Sequence, residues 1–207
     1  MRTRVYPITD TKISGISHAD QVSLLADGGA TFVQLREKKL SALDFYNEAK
    51  AALTVARQRG VTLIINDRVD VALALGAPGV HLGQDDLPPD AARKLLGEGA
   101  IIGYSTHNVS QAIAAATLPV DYVAIGPIFQ TSSKANPDPV VGLEGLRAVR
   151  NAIGAMNVVA IGGITHENAA SVIEAGADTV AVISSLLSGG STAISDRYRT
   201  LSGILSR

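Results

Sequence analysis

Several short polar stretches of this chain have residue types and spacing suited to phosphates and a hard cation. Gln34-Leu-Arg-Glu-Lys38 sets an amide, a guanidinium and an ammonium at alternate positions. In an extended segment alternate residues share a face, so Gln34, Arg36 and Lys38 point one way and Val33 and Leu35 the other. Such a trio binds a polyanion, with Arg36 offering a planar fork to phosphate oxygens; a salt bridge from Arg36 to a carboxylate is the plainer use. Asn66-Asp67 and Gly83-Gln-Asp-Asp86 supply carboxylates. Paired hard oxygens, with phosphates completing the shell, are the usual way to hold Mg²⁺, although Asp67, Asp85 and Asp86 also stand where they could cap helices. Gly103-Tyr-Ser-Thr-His107 offers Ser105 and His107 to a ligand, while its Ser and Thr could equally start the next helix. Thr131-Ser-Ser-Lys134 lies in an unusually long loop and combines three hydroxyls with a cation, a clamp for phosphate or diphosphate or simply a solvated turn. Gly162-Gly163 and Ile183-Ser184 bring glycine amides and a helix N-terminus, which together suit a phosphate.

These groups are useful only if one framework gathers them. Four segments repeat a pattern, Ala30–Leu35, Ala77–Leu82, Val120–Ile125 and Ala177–Val182, and three of them follow a helical pattern ending in Gly. Between them lie four short apolar runs, Val5–Thr9, Val61–Ile65, Ala100–Gly103 and Val158–Ile161, rich in β-branched residues as buried parallel strands are. Helical patterns fill residues 18–28, 41–59, 68–75, 88–97, 108–117, 142–153, 166–175 and a C-terminal stretch from about 184. Pro88-Pro89 and Asn108 occupy helix starts. Strict alternation of strand and helix predicts an α/β fold, a single (β/α)8 TIM barrel spanning residues 1–207. An open doubly wound sheet is the alternative, but no G-x-G-x-x-G follows the first strand. In a barrel the chemistry gathers at the C-terminal strand ends, where every stretch above falls.

Composition narrows the partners. With 18 basic and 19 acidic residues among 207, the chain has no overall field for nucleic acid or an anionic membrane. Trp is absent and aromatics are 4%, which disfavours a base-stacking surface. The absence of cysteine removes thiol nucleophiles and cysteine-ligated metals and fits a cytoplasmic protein. No run of ~18 apolar residues suggests a membrane span. The four histidines lack metal-binding spacing, and His81 reads as an inward-facing, satisfied core histidine. No Ser/His/Asp nucleophile arrangement is evident. Apolar positions on the outer helices leave room for a homo-oligomer.

Gln34-Leu-Arg-Glu-Lys38, Asn66-Asp67, Gly83-Gln-Asp-Asp86, Gly103-Tyr-Ser-Thr-His107, Thr131-Ser-Ser-Lys134 and Ile161-Gly-Gly-Ile164 together resemble the thiamine-phosphate synthase family, in its order and spacing, from the first strand to the last. The resemblance implies a transferase that couples a pyrimidine methyl diphosphate to a thiazole ethyl phosphate and releases diphosphate. It implies that Gln34, Arg36, Lys38, Asn66 and Lys134 hold the diphosphate, with Leu35 and Glu37 inside the same binding run. It puts one Mg²⁺ ion per active site on Asp67 and Asp86, and the pyrimidine against Ser105. Thr131, Ser132, Ser133, Gly163, Ile183 and Ser184 would form the thiazole-phosphate pocket. Arg36, Lys38, Lys134 and Ser105 would be the catalytic set, assisting departure of diphosphate by charge stabilisation. The chain departs from the family's Thr-x-Thr-Lys at Ser133, which keeps the hydroxyl and lacks the methyl.

Three other readings compete. A thiazole tautomerase on a related barrel has no need of the diphosphate cations and both carboxylates. A sugar-phosphate epimerase-like barrel shares the Gly162-Gly163 phosphate site but needs an acid/base carboxylate pair across the second and seventh strands. A carrier or sensor of thiamine precursors has no use for a metal-assisted diphosphate clamp.

Overall fold

The computed structural model describes residues 3–131 and 138–206. Eight parallel strands follow one another in chain order around a closed barrel. They are β1 (Val5–Thr9), β2 (Phe32–Leu35), β3 (Thr62–Asn66), β4 (Gly79–Leu82), β5 (Ile101–Thr106), β6 (Tyr122–Ile125), β7 (Val158–Ile161) and β8 (Thr179–Val182). Val5–Pro7 pair with Val180–Val182, so β8 closes on β1. The expected (β/α)8 barrel is therefore formed and the open sheet is not. The helices are α1 (Thr11–Ser14), α2 (His18–Asp27), α3 (Ala42–Gln58), α4 (Val69–Leu75), α5 (Pro89–Leu96), α6 (Val109–Ala115), α7 (Gly142–Ile153), α8 (Ala169–Glu174), α9 (Ser184–Leu187) and α10 (Ile194–Leu205).

Strand alternation sorts the buried residues into two layers. Val33, Leu35, Leu63, Ile65, Val80, Leu82, Val123 and Ile125 face outward and pack with helix residues such as Leu25, Leu53, Ala56 and Leu146. Tyr6, Ile8, Phe32, Ile64, Tyr122, Ala124, Val159 and Ala181 fill the barrel itself. Each fully buried large side chain contributes roughly 1.5–3 kcal/mol of transfer free energy. Exposed apolar side chains remain on the outer helices, among them Leu43, Leu73, Leu95 and Ile113.

The helix-to-strand turns share one construction. After α2, α4 and α8 a glycine in the left-handed region (Gly29, Gly76, Gly176) donates to the carbonyl three residues back. The next residue (Ala30, Ala77, Ala177) donates to the carbonyl five residues back, at 2.9, 2.9 and 3.3 Å. This paired closure satisfies the last helical carbonyls and needs a residue without a Cβ at the glycine. It also explains why β2, β4 and β8 begin two residues later than the sequence pattern suggests, since the alanines still belong to the helix terminus. At the foot of the barrel, Asp121 and Asp178 accept the Ile102 and Val158 N–H groups at 2.8 Å while pairing with Arg93 and Arg150.

Three features differ from the sequence expectation. The short α1 was not anticipated; Asp10 starts it by accepting the Ile13 N–H at 3.0 Å. The C-terminal stretch is broken, because Gly189 and Gly190 take φ of 81° and 100° between α9 and a 3-10 turn at Ser191–Ala193 that leads into α10. Finally, β5 continues past Gly103 to Thr106, so Tyr104, Ser105 and Thr106 are strand residues that pair with Val123, Ala124 and Ile125. Gly103 is not a stop. Its missing side chain leaves space for the Tyr122 ring, which a Cβ there would overlap.

Replacement Gly103→Ala is therefore expected to destabilise the barrel by about 1–3 kcal/mol through overpacking. Urea unfolding measures this, and an unshifted midpoint would show that the Tyr122 ring is free to move aside.

Candidate active site

The C-terminal strand ends open into a cavity of about 580 Å³. On one side stand Gln34, Arg36, Lys38, Asn66, Asp67 and Asp86. Alternation along β2 and its continuation turns Gln34, Arg36 and Lys38 toward the axis, whereas the Leu35 side chain is fully buried in the outer layer. Glu37 does not line the cavity. Its carboxylate accepts the Lys38 and Lys39 N–H groups at 2.7 and 2.8 Å and the Thr11 hydroxyl at 3.3 Å, bracing the turn that carries the cations. Lys38 Nζ lies 2.5 Å from Asp67 Oδ2, and Arg36 Nη1 lies 3.5 Å from Asp10 Oδ2. The Arg36 salt bridge thus exists, but in the cavity wall. Asn66 Nδ2 is buried with no hydrogen-bond partner among the described residues, a donor left for an acceptor in the cavity.

None of the three candidate aspartates caps a helix. α4 begins after Arg68 and α5 after Pro88, both without a side-chain cap. Asp67 instead adopts φ of 62°, a left-handed conformation that costs a non-glycine residue energy. It is held by its own N–H to His81 C=O at 2.8 Å. Asp86 Oδ2 accepts the Gly83 N–H at 2.7 Å. Burial, reinforced by the neighbouring Asp67 carboxyl, raises the Asp86 pKa, with the Gly83 N–H acting against both. Two carboxyl groups are thus pressed together at the rim of a cavity.

The opposite side carries Thr131, Gly162, Gly163, Ile183 and Ser184. The loop after β6 runs along the end of β7, with Ile128 and Phe129 N–H bonded to Ile161 and Gly162 C=O at 2.9 and 3.0 Å. Side chains at Gly162 or Gly163 would meet Pro127 Cβ at 2.6 Å or Gln130 C=O at 2.5 Å, so glycine is required where the loop lies over the strand end. This contact carries Thr131 into the cavity wall; Ser132, Ser133 and Lys134 lie outside the described residues. His107, at the end of β5, braces the same loop through Nδ1, 2.8 Å from Gly126 C=O and 3.5 Å from Asp138. Asn108, not Ser105 or Thr106, caps α6 by accepting the Gln111 N–H.

Between the two sides the barrel interior is bridged by hydrogen bonds. Gln34 Nε2 donates to the Tyr6 hydroxyl at 3.1 Å, the Tyr6 and Tyr122 hydroxyls are 3.0 Å apart, His81 Nδ1 is 3.0 Å from Tyr122, and His81 Nε2 is 2.8 Å from Ser105 Oγ. Burial lowers the His81 pKa to about 4, so the ring is neutral near pH 7. His81 is the satisfied inward histidine expected, and it is also joined to a site residue.

A family model described as thiamine monophosphate synthase matches residues 5–186. The chain belongs to the thiamine monophosphate synthase family. It is 45% identical over 200 residues to the thiamine-phosphate synthase of Chloroflexus aurantiacus, covering 96% of this chain and 92% of that one. It is 54% identical over 163 residues to that of Koribacter versatilis, covering 79% and 76%. The solved thiamine phosphate pyrophosphorylase of Pyrococcus furiosus superposes with a TM-score of 0.87 at 33% identity, over 99% of this chain and 96% of that chain. Two of these relatives carry the synthase name and the third that of the pyrophosphorylase, none that of the tautomerase or epimerase, and this member of the family is a transferase.

One residue of the cavity was not legible in the sequence. Tyr6 lines the cavity floor, a position signalled only by its two-residue spacing from Ile8 along β1. His107, a candidate ligand donor, lines the cavity while its Nδ1 braces the loop. On the polyanion side, Arg36→Ala is expected to weaken binding of inorganic diphosphate about tenfold or more, the loss of charge-assisted hydrogen bonds. Isothermal titration measures it, and unchanged affinity would remove Arg36 from the anion site.

Proposed function

We propose that this transferase joins a pyrimidinylmethyl diphosphate to a thiazole ethyl phosphate, forming thiamine phosphate and releasing diphosphate. The observation that carries the reading is a single cavity with a cationic, amide-bearing wall on one side and a glycine-lined wall on the other, bridged by a polar floor. Its volume suits small-molecule substrates. The reaction breaks the C–O bond between the pyrimidine methylene and diphosphate, the electron pair leaving on oxygen. The thiazole nitrogen then gives its lone pair to the methylene carbon. In a dissociative order the pyrimidine ring carries the cation between these steps, and no protein nucleophile takes part.

Arg36 and Lys38 oppose the charge that develops on the departing diphosphate, where positioned donors act most strongly. Gln34 and Asn66 add hydrogen bonds to it, and the resemblance adds Lys134. Ser105 meets the pyrimidine. Thr131, Ser132, Ser133, Gly163, Ile183 and Ser184 hold the thiazole phosphate, and the opposed walls keep the two rings in reach of one another.

The crowded Asp67 and Asp86 carboxyls fit one Mg²⁺ ion: both are hard oxygen donors, and their mutual repulsion favours a cation between them. Among the described residues no group of three or more His, Asp or Glu side chains is placed to hold a metal ion, so the rest of a shell would come from water and phosphate oxygens. When bound, the ion would supply further neutralisation of diphosphate charge. No helix among the described residues is long and apolar enough to cross a membrane. The reading places the reaction in the cytoplasm, in keeping with a cysteine-free chain.

The deciding experiment is diphosphate release with both substrates, with and without Mg²⁺. Release is expected only when the pyrimidine diphosphate and thiazole phosphate are both present; release without the thiazole partner, or none at all, would overturn the reading. At limiting Mg²⁺, Asp67→Ala is expected to lower turnover about 100-fold with an unchanged circular dichroism spectrum, and undiminished turnover would refute the metal assignment. Lys134→Ala is expected to lower kcat about 100-fold. A change confined to KM for the thiazole phosphate would move Lys134 to the other half of the site.

A further inference from the structure

The bridge across the barrel has a direction. Gln34 Nε2 can only donate, and it donates to Tyr6. The Tyr6 hydroxyl, completely buried, then has Tyr122 as the acceptor within reach for its own proton. Tyr122, also completely buried, accepts that hydrogen bond and donates its own O–H to His81 Nδ1, the other polar atom within reach among the described residues. With Nδ1 occupied as an acceptor, a neutral His81 carries its hydrogen on Nε2, 2.8 Å from Ser105 Oγ. Ser105 therefore accepts from His81, and its own hydroxyl proton is left to point elsewhere; Ser105 lines the cavity.

We propose that His81 is a positioning residue for the reaction, held as the Nε2–H tautomer so that Ser105 presents its hydroxyl proton to an acceptor nitrogen of the pyrimidine ring. The proposal rests on the reading above that Ser105 meets the pyrimidine. Its structural basis lies in three adjoining strands. His81 and Tyr122 both pair with Gly103, one from each side. Because Gly103 has no side chain, the Tyr122 ring leans across it and stacks on His81, centroids 5.6 Å apart and planes inclined by 21°. A larger residue at 103 would separate the two rings and leave the tautomer unfixed. The arrangement discriminates by chemistry: a ring with a nitrogen lone pair at that point gains a hydrogen bond, whereas a ring with C–H there leaves the Ser105 proton unpaired.

The test has a spectroscopic and a kinetic arm. In ¹⁵N-histidine-labelled protein, with the signal assigned by its loss in His81→Gln, His81 is expected to show an unprotonated Nδ1 and a protonated Nε2. A protonated Nδ1 would mean that the bridge runs the other way and would overturn the proposal in the unmodified protein, whatever any variant does. Tyr122→Phe keeps the ring but removes the donor. It is expected to mix the tautomers and raise KM for the pyrimidine diphosphate about tenfold, the scale of one hydrogen bond. Under the same conditions KM for the thiazole phosphate and kcat stay within threefold; an unchanged pyrimidine KM overturns the positioning role. Ser105→Ala separates this from the reading beneath it. If it leaves the pyrimidine KM unchanged, Ser105 does not meet the pyrimidine and the positioning role falls with that contact, while the His81 tautomer stands or falls on its spectrum alone.

Discussion

Closure of eight parallel strands forces every second residue of each strand into a narrow interior that has no room for solvent and must be filled by side chains. Outward positions meet this constraint simply, with Val, Leu and Ile against helices. Inward positions face two demands. They must pack, and near the C-terminal ends they must also supply polar groups to the cavity. Tyr6 and His81 meet both, and Tyr122, deeper at the start of β6, ties them together; each combines a large apolar body with a polar atom. An unpaired buried polar atom costs about 1–3 kcal/mol, so these atoms are stable in the barrel only by bonding to one another and to Gln34 and Ser105. The hydrogen-bonded bridge is thus a condition of filling the barrel before it is anything else.

The fold was largely legible because a period of two and a period of 3.6 are physical consequences of backbone geometry. The turns were legible only in part: the glycines marked them, but the alanine after each glycine looked like strand and proved to be helix closure. Gly103 misled in the opposite sense. A glycine in a strand can mean a turn or a space for a neighbour's side chain, and the neighbour, Tyr122, comes from a strand whose register no local pattern reveals.

The site divides similarly. Alternation was sufficient to turn Gln34, Arg36 and Lys38 to one face, since that inference uses only sequence spacing. It also separates Leu35, whose side chain belongs to the outer layer, and the turn geometry separates Glu37, whose carboxylate is spent on backbone amides. The question of capping against ligand binding for Asp67 and Asp86 could not be decided from sequence, because both uses need an aspartate before a helix. Capping is set aside by where each chain segment turns: Asp67 takes a left-handed conformation, and Asp86 folds back onto Gly83. The bridge itself was beyond reach, since it joins residues of β1, β2, β4, β5 and β6 and exists only once the barrel has closed.

A chain with a net charge of −1 must concentrate its cations if it is to hold polyanions. In this cavity Arg36 and Lys38 are each paired with a carboxylate, Asp10 and Asp67. The Lys38 side chain remains 52% exposed in its pair. A pair so open to water contributes only about 0–1 kcal/mol, whereas a hydrogen bond to a charged group contributes about 1.5–3 kcal/mol. Under the proposed function an arriving diphosphate would displace the carboxylate at small cost, and the Asp67 pair holds the lysine at the cavity rim. Asn66 Nδ2 has no partner among the described residues, so an acceptor bound in the cavity would gain a hydrogen bond from it. Near-neutrality of the whole chain and the proposed anion site at one end of the barrel are compatible for this reason: the carboxylates that balance the cations also hold them in place.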